Sequence, residues 1–311
     1  MLSIKVLVDD NSDTLKFNWY LSDLYGGRML SSSEESNTTA ADLIGHLNIM
    51  HPQRVQVFGV VEIDFFLKLD NQQTEHYLTT LKEGQVPAII IAEDIPPPRS
   101  IIEFCEINKV PLLTSPVDAS RIIDVLRVYL TRRFAPKTTV HGVFLDVLGV
   151  GVLITGESGL GKSELALELI SRGHGLVADD AVEFARTYPN YIEGRCPELL
   201  RNLLEVRGLG LLDIRTIFGE TAVRRKMSLK LIVNLVRANT EFFERLPMQD
   251  QSEEILGMPI KKVTLQVAAG RNLAVLVEAA VRNMVLKIRG IDTLSDFMKK
   301  QSEAILKNSK I

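Results

Sequence analysis

Apolar positions follow two different rhythms along this chain, and the change from one to the other marks out its elements. Between residues 55 and 133, short β-branched runs alternate with segments in which apolar residues recur every three or four positions. Val55 to Val61, Ala88 to Ala92 and Val110 to Leu113 predict strands. Arg99 to Asn108 predicts a helix that starts after the triple proline at 96 to 98, since proline can open a helix but not continue one. Ile122, Ile123, Leu126 and Leu130 predict another, capped by Asp118 or Ser120. Strands exchanging with helices in this way predict an N-terminal α/β domain with a mainly parallel sheet.

Arg132, Arg133, Ala135, Pro136 and Lys137 read as a short linker, dividing the chain into a domain of residues 1–134 and a second of 135–311. In the second, Val147 to Thr155 is apolar and β-branched apart from two glycines and predicts a buried strand. Leu165, Ala166, Leu169 and Ile170 then recur at helical spacing up to a stop at Gly173. Leu273, Leu276, Val277, Ala280, Met284 and Ile288 predict a core-facing helix, capped by Asn272 and ended by Gly290. The last segment, Leu294 to Lys307, has sparse apolar positions among lysines and acids. It predicts a peripheral amphipathic helix that docks on its own domain or meets a partner.

Composition changes this picture little. The 311 residues carry 46% hydrophobic and 24% charged side chains, as expected of two ordinary globular domains. A net charge of −3 and a pI near 6.0 give no general attraction to nucleic acid. The N-terminus reaches Asp9-Asp10 before any long apolar stretch, and no window approaches the roughly 20 apolar residues that cross a bilayer. The expectation is a cytoplasmic protein without membrane or nucleic-acid partners. Cys105 and Cys196 lie far apart with no C-x-x-C pair, which argues against a disulfide framework or a zinc site.

Candidate chemistry concentrates after the strand at 147–155. Gly156, Glu157, Ser158, Gly159, Leu160, Gly161, Lys162 and Ser163 fill every fixed position of G-x-x-x-x-G-K-[ST], in the required context of strand, tight loop and helix. Glycines let successive N–H groups turn toward phosphate oxygens, and the helix N-terminus adds its dipole. Lys162 adds charge, and the Ser163 hydroxyl can ligate Mg²⁺. A polyphosphate, most simply a nucleotide, is the ligand this predicts.

Three further clusters surround the loop. Leu176 to Asp180 reads as a strand ending in two carboxylates that point different ways. Of Asp179 and Asp180, one can ligate Mg²⁺ while the other takes a proton from an attacking hydroxyl; the duller alternative is a solvated turn. In Leu204 to Asp213, Glu205 is a candidate metal ligand. Arg207 adds a cation, and Gly208 and Gly210 allow close backbone approach; the alternative is a bulge or hairpin with surface charges. In the turn from Ala268 to Asn272, Gly270 and Arg271 either bind phosphate or merely start a helix. His141, read as the start of the strand leading to the loop, and Arg245 are not distinguishable from structural residues by chemistry alone. Arg224-Arg225-Lys226 reads as a solvated basic face or a site for an acidic partner.

Taken in order and spacing, His141-Gly142, the loop with Glu164, Asp179-Asp180 and Leu204 to Asp213 resemble the bacterial HPr kinase/phosphorylase family. Met50 to Arg54 and Val86 to Pro136 extend the resemblance over essentially the whole chain. It implies a C-terminal P-loop kinase domain of the phosphoenolpyruvate-carboxykinase-like type and a homohexamer. The implied activity uses ATP and Mg²⁺ to phosphorylate a serine of HPr, the phosphocarrier of the sugar phosphotransferase system. The reverse uses inorganic phosphate and releases pyrophosphate. The resemblance also implies roles: Lys162 binds phosphate, Ser163 and Glu205 hold magnesium, and Asp180 takes or gives the proton. His141 and Arg245 join the active site, and Gln266 to Arg271 serve chiefly the phosphorolysis. Ala268-Ala269 stand where many members have arginine and proline, which removes one phosphate-attracting cation. Two rival readings use the same loop: a carboxykinase-like small-molecule kinase, and an ATP-dependent switch that transfers nothing.

Overall fold

The computed structural model describes residues 1–30, 40–238 and 251–308. The chain divides into two compact units, Met1–Ala135 and Pro136–Ile311.

The first unit contains β1 (Leu2–Ser3), α1 (Ile4–Leu15), β2 (Asn18–Trp19), β3 (Met29–Leu30), β4 (Ile44–His46), β5 (Val55–Phe58), α2 (Val60–Leu67), α3 (Asn71–Glu83), β6 (Ile89–Ile91), α4 (Arg99–Asn108), β7 (Leu112–Thr114) and α5 (Ala119–Phe134). Its five-stranded sheet runs β2-β7-β6-β5-β4, parallel throughout except for β2. Period-two alternation explains the layering. Val55, Val57 and Ile90 face α1 and α5, whereas Phe58, Ile89 and Ile91 face α2, α3 and α4. With both faces covered, the strands read as continuous apolar runs.

Two expectations change here. The strand predicted to reach Val61 ends at Phe58, and α2 begins at Val60. Two carboxylates satisfy the helix start, one from its own first turn and one from afar: Glu62 accepts from the Gly59 N–H at 2.9 Å and Glu93 from that of Val60 at 3.4 Å. Arg132 and Arg133, read as linker, form the last turn of α5, where cations complement the helix dipole, and Pro136 follows the end. Asp118 is the cap, accepting from Arg121 N–H at 2.9 Å.

The second unit contains β8 (Lys137–His141), β9 (Val143–Val147), β10 (Val150–Gly156), α6 (Lys162–Ser171), β11 (Gly175–Ala178), β12 (Ala181–Tyr188), β13 (Tyr191–Arg195), β14 (Leu203–Val206), β15 (Gly210–Asp213), α7 (Ile214–Phe218), β16 (Lys226–Arg237), β17 (Gln251–Ile255), β18 (Met258–Val267), α8 (Leu273–Ile288) and α9 (Thr293–Asn308). The main sheet runs β11-β9-β10-β16-β13-β12-β8, with β18 parallel to β16 and β17 beside β18. One face, with Leu145, Val152, Ile154 and Val233, packs on α6 and α8; the other, with Phe144, Leu153 and Ile232, packs on Phe184 and Ile192.

The predicted strand from Val147 to Thr155 is a hairpin. Leu148 and Gly149 both take positive φ, the requirement of a two-residue turn, and the Asp146 carboxylate accepts from Gly149 N–H at 2.8 Å. His141 ends β8, two strands before the loop-bearing β10, and pairs with Ala181 of β12. Arg224, read as part of a basic face, is turned inward: its guanidinium donates to Asp146 at 2.8 Å and to the carbonyls of Thr221 and Val223. Lys226 pairs with Glu193 at 2.7 Å. Cys105 and Cys196 are buried free thiols, pushed up to about 12 and about 11 by burial. On α9, side chains from Ser295 to Glu303 stand exposed.

Candidate phosphoryl-transfer site

Strands β10, β16 and β18 are mutually parallel, and β11 runs the same way because two antiparallel steps separate it from β10. Four strands therefore deliver their C-terminal ends to one edge of the sheet, the usual place for a ligand in an α/β fold. At that edge lie the phosphate loop after β10, Arg237 at the end of β16, the Ala268–Arg271 turn after β18 and Asp179-Asp180 after β11.

The loop is shaped by close backbone contact. Gly156 has φ +137°, and a Cβ there would stand 2.6 Å from the Leu235 carbonyl oxygen of β16, so only glycine lets the strand leave at this point. Gly161, at φ +81°, precedes α6, and no side chain caps that helix. With no capping side chain, its first N–H groups meet the general condition for an anion site at a helix start. The Lys162 ammonium reaches back to donate to the Gly156 and Glu157 carbonyls at 2.8 and 2.9 Å. Thr155 donates its hydroxyl to Asn234 Oδ1 at 3.1 Å, tying β10 to β16 just below the loop.

Two guanidinium groups flank the loop. Arg207, in the turn between β14 and β15, lies 3.8 Å from where a Cβ on Gly159 would be. Arg237 pairs with Glu157 at 3.2 Å. Sequence reasoning missed Arg237, although the alternation Leu229, Leu231, Val233, Leu235 already marks a strand ending there. Its place beside the loop depends on the parallel register of β16 with β10.

The adjacent aspartates part company. Asp179 is buried and accepts from the Glu205 N–H at 2.9 Å, which holds β14 beside the end of β11. Burial raises its pKa, against the lowering effect of that hydrogen bond. Asp180 takes positive φ, +62°, and its side chain is 78% exposed. His141 Nδ1 stands 3.6 Å from the Asp180 carboxylate and 3.2 Å from its carbonyl, and Gly142 N–H donates to the same carbonyl at 3.1 Å. The ladder between β8 and β12 thus brings His141 to Asp180. Glu205 and Leu211 are cross-strand partners in the β14–β15 hairpin, and both are exposed. Of the two alternatives in the sequence, the hairpin with surface charges is the one the backbone forms.

The remaining candidates are less closely joined. Gly270 and Arg271 follow β18, two strands from β10, and are exposed. No group of three or more His, Cys, Asp or Glu suited to a metal occurs among the described residues. Arg245 lies outside the described residues.

Comparison with known proteins identifies the family of the chain. The model described as HPr Serine kinase N terminus matches residues 2–130, and that described as HPr Serine kinase C-terminal domain matches residues 132–301. The chain is 62% identical to the HPr kinase/phosphorylase of Bordetella avium over 311 residues, covering both proteins completely. It is 56% identical to that of Paraburkholderia xenovorans, over 98% of this chain and 95% of the relative. A solved structure, the Hpr(Ser) kinase/phosphatase from Coxiella burnetii, is 37% identical with a TM-score of 0.47, covering 51% of this chain and 98% of its own. Two family models that together span nearly all of the chain, with relatives of this identity along its full length, establish that the chain belongs to the HPr serine kinase family.

Proposed function

We propose that this chain transfers the γ-phosphoryl group of ATP to a serine of HPr and removes it again by attack of inorganic phosphate, with release of pyrophosphate. The observation that carries the site assignment is the uncapped α6 N-terminus behind the phosphate loop, with exposed Asp180 at the end of a strand delivered to the same sheet edge.

In the forward direction Lys162 exchanges its two loop carbonyls for phosphate oxygens, and the α6 N–H groups and Arg207 share the remaining charge. The serine oxygen bonds to the γ-phosphorus as the bond to the β-phosphate oxygen breaks, and the serine proton passes to the Asp180 carboxylate. A base in this position contributes roughly 10² to 10⁴-fold. His141 orients Asp180 through its contact with that carboxylate. In reverse, a phosphate oxygen attacks the phosphoserine phosphorus, the bond to the serine oxygen breaks, and Asp180 returns the proton. Ser163 and Glu205 would hold Mg²⁺, an oxygen-only set that suits an ion retaining several waters; the ion supplies neutralising charge for the polyphosphate. Buried Asp179 holds the Glu205 backbone and is not itself a ligand in this reading. A hexamer of identical chains and a cytoplasmic location belong to the same proposal; no helix among the described residues is long and apolar enough to cross a membrane.

Purified chain with Mg·ATP and HPr, followed by phosphate, tests this directly. The expected result is phosphate on an HPr serine, then its removal with stoichiometric pyrophosphate, slowed relative to members carrying arginine where Ala268 stands. Label on a metabolite alone, or nucleotide binding without transfer, overturns it. Asp180→Asn is expected to lose both directions by roughly 10² to 10⁴-fold while retaining ATP binding; full kinase turnover in that variant removes Asp180 from the mechanism.

A further inference from the structure

We infer that Glu168 and Asn272 are positioning residues that fix the Ala268–Arg271 turn against the phosphate loop and so set the affinity of the phosphorolysis direction for inorganic phosphate. This rests on the proposed role of that turn in the reverse reaction.

Helices α6 and α8 each begin at one part of the site. Lys162 and Ser163 open α6, and Arg271 immediately precedes Asn272, the cap of α8. A polar strip joins the two helices. Asn272 uses both ends of its amide: Oδ1 accepts from Val275 N–H at 3.0 Å, capping α8, and Nδ2 donates to Glu168 Oε1 at 3.1 Å. The cap therefore dictates which end of the amide faces Glu168. The same Glu168 oxygen accepts from Arg172 at 2.8 Å. Farther along, Glu278 of α8 meets Arg172 at 3.7 Å and His174 at 2.9 Å, and His174 is only 6% exposed.

Two separated ties prevent α8 from sliding or swinging on α6. Since α6 is one uninterrupted helix from Lys162 to Ser171, the Glu168 contact ties the position of the loop to the turn before Asn272. Glu168 and Arg172 are part exposed, so the strip contributes modestly to stability. Its consequence is geometric, and small displacements of a charged group in a transfer site have large kinetic effects.

The test exchanges the two partners. Asn272→Asp keeps a cap oxygen for Val275 N–H but sets a carboxylate oxygen against Glu168. The KM for inorganic phosphate is expected to rise by about 10-fold to 10²-fold, the upper figure being the scale for a group misplaced by about 1 Å, while the KM for ATP in the kinase direction and the melting temperature stay close to the parent. Adding Glu168→Gln to Asn272→Asp supplies an Nε2 donor to the introduced carboxylate and is expected to restore the phosphate KM. An unchanged phosphate KM in Asn272→Asp, a loss that Glu168→Gln does not recover, or an equal loss for ATP overturns the inference. The parent is assayed alongside: a parent that releases no pyrophosphate overturns the phosphorylase reading and this inference with it, whereas an active parent with an indifferent variant overturns the inference alone.

Discussion

Both units place helices directly after parallel strands, yet the start of α6 in the second is treated differently from those of α2 and α5 in the first. In the first unit the starts of α2 and α5 are closed by the protein itself. Glu62 and Glu93 accept from Gly59 and Val60 at the start of α2, Glu93 also from Ala119, and Asp118 from Arg121 at α5. In the second unit the start of α6 follows Gly161 with no side chain capping it, whereas α8 is capped by Asn272. A capped start stabilises a fold, and an uncapped start with a lysine beside it attracts a phosphate. The difference teaches that a start suited to an anion needs a common structural demand left unmet, as it is at α6.

The sharpest way to break this contrast is at Lys162. Lys162→Ala is expected to lower both kinase and phosphorolysis turnover by roughly 10² to 10³-fold, the scale for removing a charge-stabilising group. Folding stability without nucleotide should hardly change. At saturating Mg·ATP, about 100 times its dissociation constant, the parent should gain about 2.7 kcal/mol by linkage, and the variant should show none of it. Retention of either activity breaks the shared-site model.

Gly156→Ala probes the loop backbone instead. A Cβ 2.6 Å from the Leu235 carbonyl must push β10 and β16 apart, at a cost of about 1 to 3 kcal/mol. Denaturant unfolding should show that loss together with weakened ATP binding. Unchanged stability would mean the strand exit has more freedom than its geometry indicates.

In the first unit, Asp118→Ala should remove about 1 kcal/mol through loss of the α5 cap, with kinase turnover unaltered. An activity loss without a stability loss would assign that helix start a ligand role and erase the contrast. The smallest effect concerns Asp179, whose carboxyl is held above its usual pKa by burial. A carboxylate raised in the fold costs stability once pH passes the unfolded value and climbs through the folded one, and costs nothing below both. Asp179→Asn keeps an acceptor for the Glu205 N–H and sheds the charge. Its stability relative to the parent should therefore improve as pH rises from about 4 to about 7; a trend in the other direction would show a carboxylate stabilised by its partners.

Particular residues show where the chain was readable. Ile89, Ile90 and Ile91 alternate between the two helical layers, and the run of apolar residues announces a strand covered on both faces. The phosphate loop is fully legible because its chemistry lies in eight consecutive residues whose order sets backbone shape. Arg99–Asn108 and Leu273–Ile288 are legible because their start signals lie next to their periodic cores. The hairpin turn at Leu148-Gly149 was hidden because a leucine at positive φ continues the apolar pattern. The start of α2 was hidden because its cap position is a glycine and one of its two acceptors, Glu93, stands 33 residues away from Val60.

By itself, then, the sequence determined local periodicity, the phosphate loop and the residues able to carry charge and protons, since each depends on neighbours along the chain. Tertiary structure alone decided how they divide the work. It made Asp179 a buried anchor and Asp180 an exposed carboxylate, because the Glu205 amide, 26 residues on, binds the first. It brought Arg207 and Arg237 to the loop and joined Glu168 to Asn272 across 104 residues. These are consequences of register and packing, and register is set by burying whole faces of a sheet, which no local segment specifies.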